Sequence, residues 1–112
     1  MKISTILYKE RCFRLLRIIS QDSDMSQRHM AEAMETSLGT CNQLLRQMQT
    51  GNLIHAQVAL TPRGKKGCKY TITDKGRVEL LSLAQEVTAH YVNCAQKMKR
   101  VLAKLQAEGL QS

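Results

Sequence analysis

Ser37, Thr40, Asn42, Gln43 and Arg46 lie within the short stretch SLGTCNQLLRQMQT and bring together hydroxyl, amide and guanidinium groups without a carboxylate among them. Amides pair with adenine, guanidinium with guanine, and hydroxyls with either, so this set suits the reading of base edges rather than the breaking of bonds. A second group, Arg63, Lys65 and Lys66, belongs to Thr61-Pro-Arg-Gly-Lys-Lys-Gly67, which holds the chain's one proline. Cations on a glycine-hinged loop are suited to phosphate oxygens. Between Thr36 and Thr73 there are five basic residues (Arg46, Arg63, Lys65, Lys66, Lys69) and no acidic one. A polyanion can approach that stretch without repulsion. A net charge of +8 could also serve solubility alone. The coincidence of the acid-free stretch with the base-reading residues favours nucleic acid.

Other chemistry finds little support. No serine, histidine and acid follow one another in a nucleophile's order, and no glycine-rich loop follows a strand to cradle phosphate. No catalytic residue is expected. Cysteines stand at 12, 41, 68 and 94, without a CxxC pair. They read as reduced, small core residues of a cytoplasmic protein. His90 and Cys94 are four residues apart, which is too few ligands for structural zinc, so no metal or cofactor is expected. Cys94 falls on an apolar seam, where oxidation sensing would need a lowered thiol pKa. Cys41 reads as packing. Met1 to Ser20 interleaves Lys2, Lys9, Arg11, Arg14 and Arg17 with its apolar residues, unlike a secretory leader, and no apolar run is long enough to span a membrane.

Short elements must position these groups. At 112 residues the chain has room for one domain with a modest core. A helix is expected over Ser4–Ser20. Ser26 caps a second helix with Met30, Ala31 and Met34 inward, and Met34-Glu-Thr36 forms the turn. Ser37 caps a third helix whose inner face is Leu38, Cys41, Leu45 and Met48, with Leu44 at its edge. Gly39, Gln43, Arg46 and Thr50 face outward, flanked by Thr40, Asn42 and Gln47. Gly51 is placed to end this helix in a left-handed conformation. Ile54, Ala56, Val58 and Leu60 then alternate as a half-buried strand, partnered by Cys68, Tyr70 and Ile72. Thr73 caps a long helix that runs to about Glu108, where Gly109 stops it.

In that helix Leu80, Ala84, Val87, Tyr91, Cys94, Met98, Val101 and Leu105 recur at four- and three-residue steps, a heptad seam for another helix. At 1.5 Å per residue such a helix exceeds roughly 50 Å, more than a domain this small can cover. Its far half is expected to meet a second copy.

Helix, helix-turn-helix, two-stranded wing and long terminal helix is the winged-helix plan. SQRHMAEAM (26–34) and SLGTCNQLL (37–45) resemble the helix-turn-helix of the MarR family, GNLI (51–54) its exit into the wing, and YTITDKG (70–76) the segment after the wing. Overall length is similar to that of short MarR-type regulators found with exopolysaccharide gene clusters. The resemblance implies a mainly α fold with a small β hairpin, residues 1–75 forming the winged helix-turn-helix and 76–112 the dimerisation helix of the same unit. It further implies a homodimeric transcriptional regulator on double-stranded DNA, read by Ser37, Thr40, Asn42, Gln43 and Arg46, with Arg63, Lys65 and Lys66 on phosphate or minor groove. Glu35 stands where the family usually has glycine. Family members often bind phenolic ligands, but no cluster of aromatic and polar residues for such a pocket is evident, and no small-molecule effector is assigned. A winged helix used for protein or RNA interaction is the alternative reading; no sequence feature supports an enzyme.

Overall fold

The computed structural model describes residues 2–60 and 66–109, and for 2–4, 59, 60 and 66 it describes the backbone alone. In chain order the elements are α1 (Lys2–Gln21), α2 (Gln27–Ala33), α3 (Leu38–Thr50), β1 (Ile54–Leu60), β2 (Lys66–Ile72) and α4 (Asp74–Ala107). This is a winged helix-turn-helix with a long terminal helix, mainly α with one antiparallel hairpin. The first helix begins before Ser4. Lys66 and Gly67, assigned to the loop from sequence, open β2 instead.

One apolar cluster joins all these elements. Cys12, Leu15, Leu16 and Ile19 make a helical stripe on α1, against which Met30, Ala31 and Met34 of the α2 segment are buried. Ile54, Tyr70 and Leu83 close the cluster from the wing base and α4. On α3 the buried residues are Cys41, Leu44, Leu45 and Met48, whereas Leu38 is 42% exposed. Leu38 therefore does not belong to the inner face, and Leu44 does. At 3.6 residues per turn the centre of the buried stripe lies about 70° around the helix from Leu38.

All three expected N-caps form. Ser26 Oγ accepts the His29 N–H at 3.2 Å, Ser37 Oγ accepts the Thr40 N–H at 3.1 Å, and Thr73 Oγ1 accepts the Gly76 N–H at 2.9 Å. The helix ends are more particular. After α2 the Glu35 N–H bonds the Glu32 carbonyl at 3.0 Å and the Thr36 N–H bonds the Ala31 carbonyl at 2.9 Å. That paired arrangement needs a left-handed residue, and Glu35 takes φ 55°. The same pairing closes α3, but Gly51 has φ −82° and Asn52 takes φ 60°. The left-handed position thus falls one residue later than expected, on a residue type that tolerates it.

In the wing, Ile54 pairs with Ile72, Ala56 with Tyr70 and Val58 with Cys68. Ile54 and Tyr70 are buried, but Val58 is 69% exposed and Cys68 is exposed as well. The alternation is present, yet the Val58–Cys68 pair lies beyond the reach of the helical layer. Cys68 is accordingly not a core residue.

Where wing, α3 exit and α4 meet, Thr73 is the node. Its N–H donates to the Leu53 carbonyl at 3.0 Å, and its single hydroxyl proton is shared between the carbonyls of Asn52 at 2.7 Å and Leu53 at 3.0 Å. Gly76, one turn on, packs so closely that a Cβ would overlap the Leu53 carbonyl oxygen and sit 2.7 Å from Ile72 Cγ1.

Along α4, Leu83 and Val87 are buried and Leu80 packs against the core. The Tyr91 hydroxyl donates to Glu10 Oε2 at 2.5 Å, and Lys9 Nζ pairs with Glu86 at 2.5 Å, both across to α1. No described residue after Val87 is buried; Met98 is 65% exposed, Val101 49% and Leu105 39%. The seam seen in sequence is therefore divided: its first half includes Leu80 and Val87, which pack within the chain, and its second half is open. The molecule measures 66 × 28 × 25 Å as a result.

Three substitutions follow from these backbone features. Gly76→Ala should lower unfolding stability by about 2–3 kcal/mol, since backbone must move to admit the methyl group. Glu35→Gly should raise it by about 0.5–1 kcal/mol and Glu35→Val should lower it, because the left-handed conformation is strained for side chains branched at Cβ. Chemical denaturation of the three variants against the parent chain measures both effects.

Candidate nucleic-acid interface

The first turn of α3 is rigidly organised. Besides capping the helix, Ser37 donates its hydroxyl proton to Thr40 Oγ1 at 2.9 Å, which leaves the Thr40 proton available for an outside acceptor. Gly39, Gln43, Arg46 and Thr50 are exposed along the outer face, as the spacing indicated. Thr50 Oγ1 donates back to the Arg46 carbonyl at 2.9 Å. The Arg46 guanidinium has no ion pair among the described residues, so its fork of donors is free for an external acceptor.

Asn42 is half-buried rather than outward, and its Oδ1 lacks a hydrogen-bond partner among the described residues. It lines a cleft of about 290 Å³ with Gln27, Leu45, Arg46, Gln49 and Tyr70. Gln47 is exposed, as expected of the flank, and is also tied to α1: Tyr8 donates its hydroxyl to Gln47 Oε1 at 2.7 Å.

Two contacts outside the sequence reading fix the wing against the helix-turn-helix. Gln27 Nε2 donates to the Tyr70 hydroxyl at 2.6 Å, tying the first turn of α2 to β2. Burial pushes the Tyr70 phenol above its ordinary pKa, so it remains a neutral hydroxyl. Lys69 pairs with Asp24 at 2.8 Å, and that hydrogen bond and charge hold its pKa above the usual lysine value. One of the five cations of the acid-free stretch is thus answered by a carboxylate lying before it in the chain. Neither contact has a local sequence signal, since the partners are 43 and, for Asp24 and Lys69, 45 positions apart.

Arg63 and Lys65 lie outside the described residues, and so does the side chain of Lys66. Of the remaining predicted readers, Ser37 caps α3 and Thr40, Asn42, Gln43 and Arg46 lie along it. Burial raises the thiols of Cys12 and Cys41 above the usual cysteine range, which keeps them protonated and inert. Cys94 Sγ sits 3.6 Å from His90 Nε2 on the same helix. Among the described residues no group of three metal-binding side chains occurs, and no helix is long and apolar enough to cross a membrane.

The geometry agrees with what the chain resembles. Residues 13–54, from mid-α1 to the first residue of β1, match a family described as winged helix-turn-helix DNA-binding. No curated protein matches the chain. Among solved structures it is similar to a PadR-like transcriptional regulator from Bacillus cereus, with 25% identity and a TM-score of 0.69 over 78% of this chain and 89% of that one. A Streptococcus transcriptional regulator gives 16% identity and a TM-score of 0.63, over 90% and 97%. A MarR family protein from Mycobacterium tuberculosis, in complex with salicylic acid, gives 20% identity and a TM-score of 0.60, over 85% and 75%. In fold the chain is a winged helix-turn-helix protein, with proteins described as MarR family and PadR-like regulators among its structural neighbours.

Proposed function

We propose that this protein is a homodimeric, sequence-specific DNA-binding transcriptional regulator of the cytoplasm. The observation that carries the reading is the outer face of α3: exposed Gln43, an Arg46 without an ion pair among the described residues, and the Thr40 hydroxyl, with no carboxylate in the segment from Thr36 to Thr73. A helix with that face, held by its neighbours through buried Cys41, Leu44, Leu45 and Met48, fits a major groove. Ser37 orders the first turn, Thr40, Gln43 and Arg46 read bases, and Asn42 with Gln27 borders the groove's edge. Arg63, Lys65 and Lys66 extend from the wing to phosphate or minor groove. No cofactor takes part.

The second copy is assigned to α4. Tyr91, Cys94, Met98, Val101 and Leu105 continue the seam whose earlier members Leu80, Ala84 and Val87 lie along the chain's own domain. A parallel stripe, with Val78 71%, Leu81 62%, Val92 51% and Leu102 55% exposed, borders it. The open second half of the seam, bordered by Val92 and Leu102, suits a helical partner, and a two-fold pair would place two recognition helices on an inverted repeat.

Sedimentation at micromolar concentration should give a dimer; a 12.7 kDa species throughout would remove the two-half-site arrangement. Selection from random DNA should return an inverted repeat for the parent chain. Arg46→Ala should lose discrimination at one or two base pairs, at a cost of about 1–3 kcal/mol for that contact. Alanine at Arg63, Lys65 and Lys66 together should instead weaken all DNA alike and reduce the salt dependence by about one unit per lost phosphate contact. Equal motifs for the parent and Arg46→Ala would refute base reading by Arg46. A dimer indifferent to any DNA would move the winged helix to a protein-interaction role.

A further inference from the structure

Leu38 breaks the pattern of its helix. Every other described apolar side chain of α3 (Cys41, Leu44, Leu45, Met48) is at most 5% exposed, and Leu38 is 42% exposed. A single exposed leucine is ordinary on a surface, so its place matters more than its exposure. Leu38 is the first residue after the Ser37 cap. In a helix-turn-helix that end of the recognition helix is the part that meets base edges.

The neighbouring residue gives an independent observation. A Cβ built on Gly39 would meet nothing within 4 Å, and Gly39 is not among the residues with positive φ. The fold therefore has no steric or conformational need for glycine at this position. Glycine inside a helix is less favourable than alanine by about 1 kcal/mol. What glycine provides here is clearance, because the outer surface of the first turn is bare backbone. The Ser37 hydroxyl proton beside it is spent on Thr40, whose own proton remains for a polar acceptor. Leu38 is thus the apolar side chain at the edge of an open approach.

In the major groove one group is apolar, the C5 methyl of thymine. We propose that Leu38 is a specificity-determining residue that packs on thymine methyl groups, and that Gly39 keeps the first turn free of bulk so that this contact can close. The inference rests on the DNA-binding reading and assigns a base type within it. Polar residues of α3 discriminate by donor and acceptor; Leu38 adds discrimination by shape and desolvation.

The test uses the full-length protein and the DNA sequence it selects. Thymines in each half-site are replaced one at a time by uracil, which removes the methyl group and leaves the pairing edge unchanged. The parent chain should lose about fourfold in affinity at one or two positions, the factor expected for burying a single methyl group. Leu38→Ala should bind the thymine site more weakly and be indifferent to uracil at those same positions. Gly39→Ala should melt no lower than the parent and still bind the selected site less tightly. Identical uracil profiles for the parent and Leu38→Ala would overturn the assignment, as would a parent profile without any uracil effect. If the parent selects no sequence at all, the regulator reading itself fails, which is a separate and distinguishable result.

Discussion

A single threonine hydroxyl couples the parts of this molecule that must act together. Thr73 binds the carbonyls at the exit of α3 and the amide in the first turn of α4, and it is the residue that follows the second wing strand. Without that node α3, the wing and the long helix would be three elements sharing only apolar packing, which resists separation better than rotation. Directional bonds to Asn52 and Leu53 fix the angle as well as the distance. Gly76 is the steric counterpart of the same constraint, since the backbone of Leu53 occupies the space its side chain would need.

Much of this was legible in the sequence because it is local. Ser26, Ser37 and Thr73 announce helix starts through an interaction spanning three residues, and all three caps form. The face of α3 was legible in period but not in phase: Leu38 and Leu44 both fit an apolar stripe, and only the packing partner decides which is covered. Depth was not legible either. Alternation assigned Val58 and Cys68 to the same face as Ile54 and Tyr70, but alternation specifies a side and says nothing of how far the core extends along it.

The candidate site divides in a similar way. Its inventory of hydroxyl, amide and guanidinium groups could be read directly, as could their common helix. Their states could not. Gln47 is held by Tyr8, Asn42 is turned toward a cleft, and Lys69 is matched by Asp24 across a long sequence separation. Composition overstates the free positive charge of the wing strand for this reason, since it counts Lys69 without its partner. Glu35 shows the reverse case, where a departure visible in the sequence corresponds to strain present in the backbone.

The projecting part of α4 has a consequence for how the chain acquires its order. From Thr88 onward no described residue is buried, so this segment receives little tertiary support from its own domain. Its helix is held mainly by propagation from the packed first half of α4, and propagation gains little per residue. Helix content in this segment should then behave as a property of the solution as much as of the molecule. On the proposed pairing it would fray on dilution and firm up as copies associate, by mass action. The domain proper, with its core around Leu15, Leu16 and Leu45, would keep its structure throughout, giving one chain two separate melting regimes.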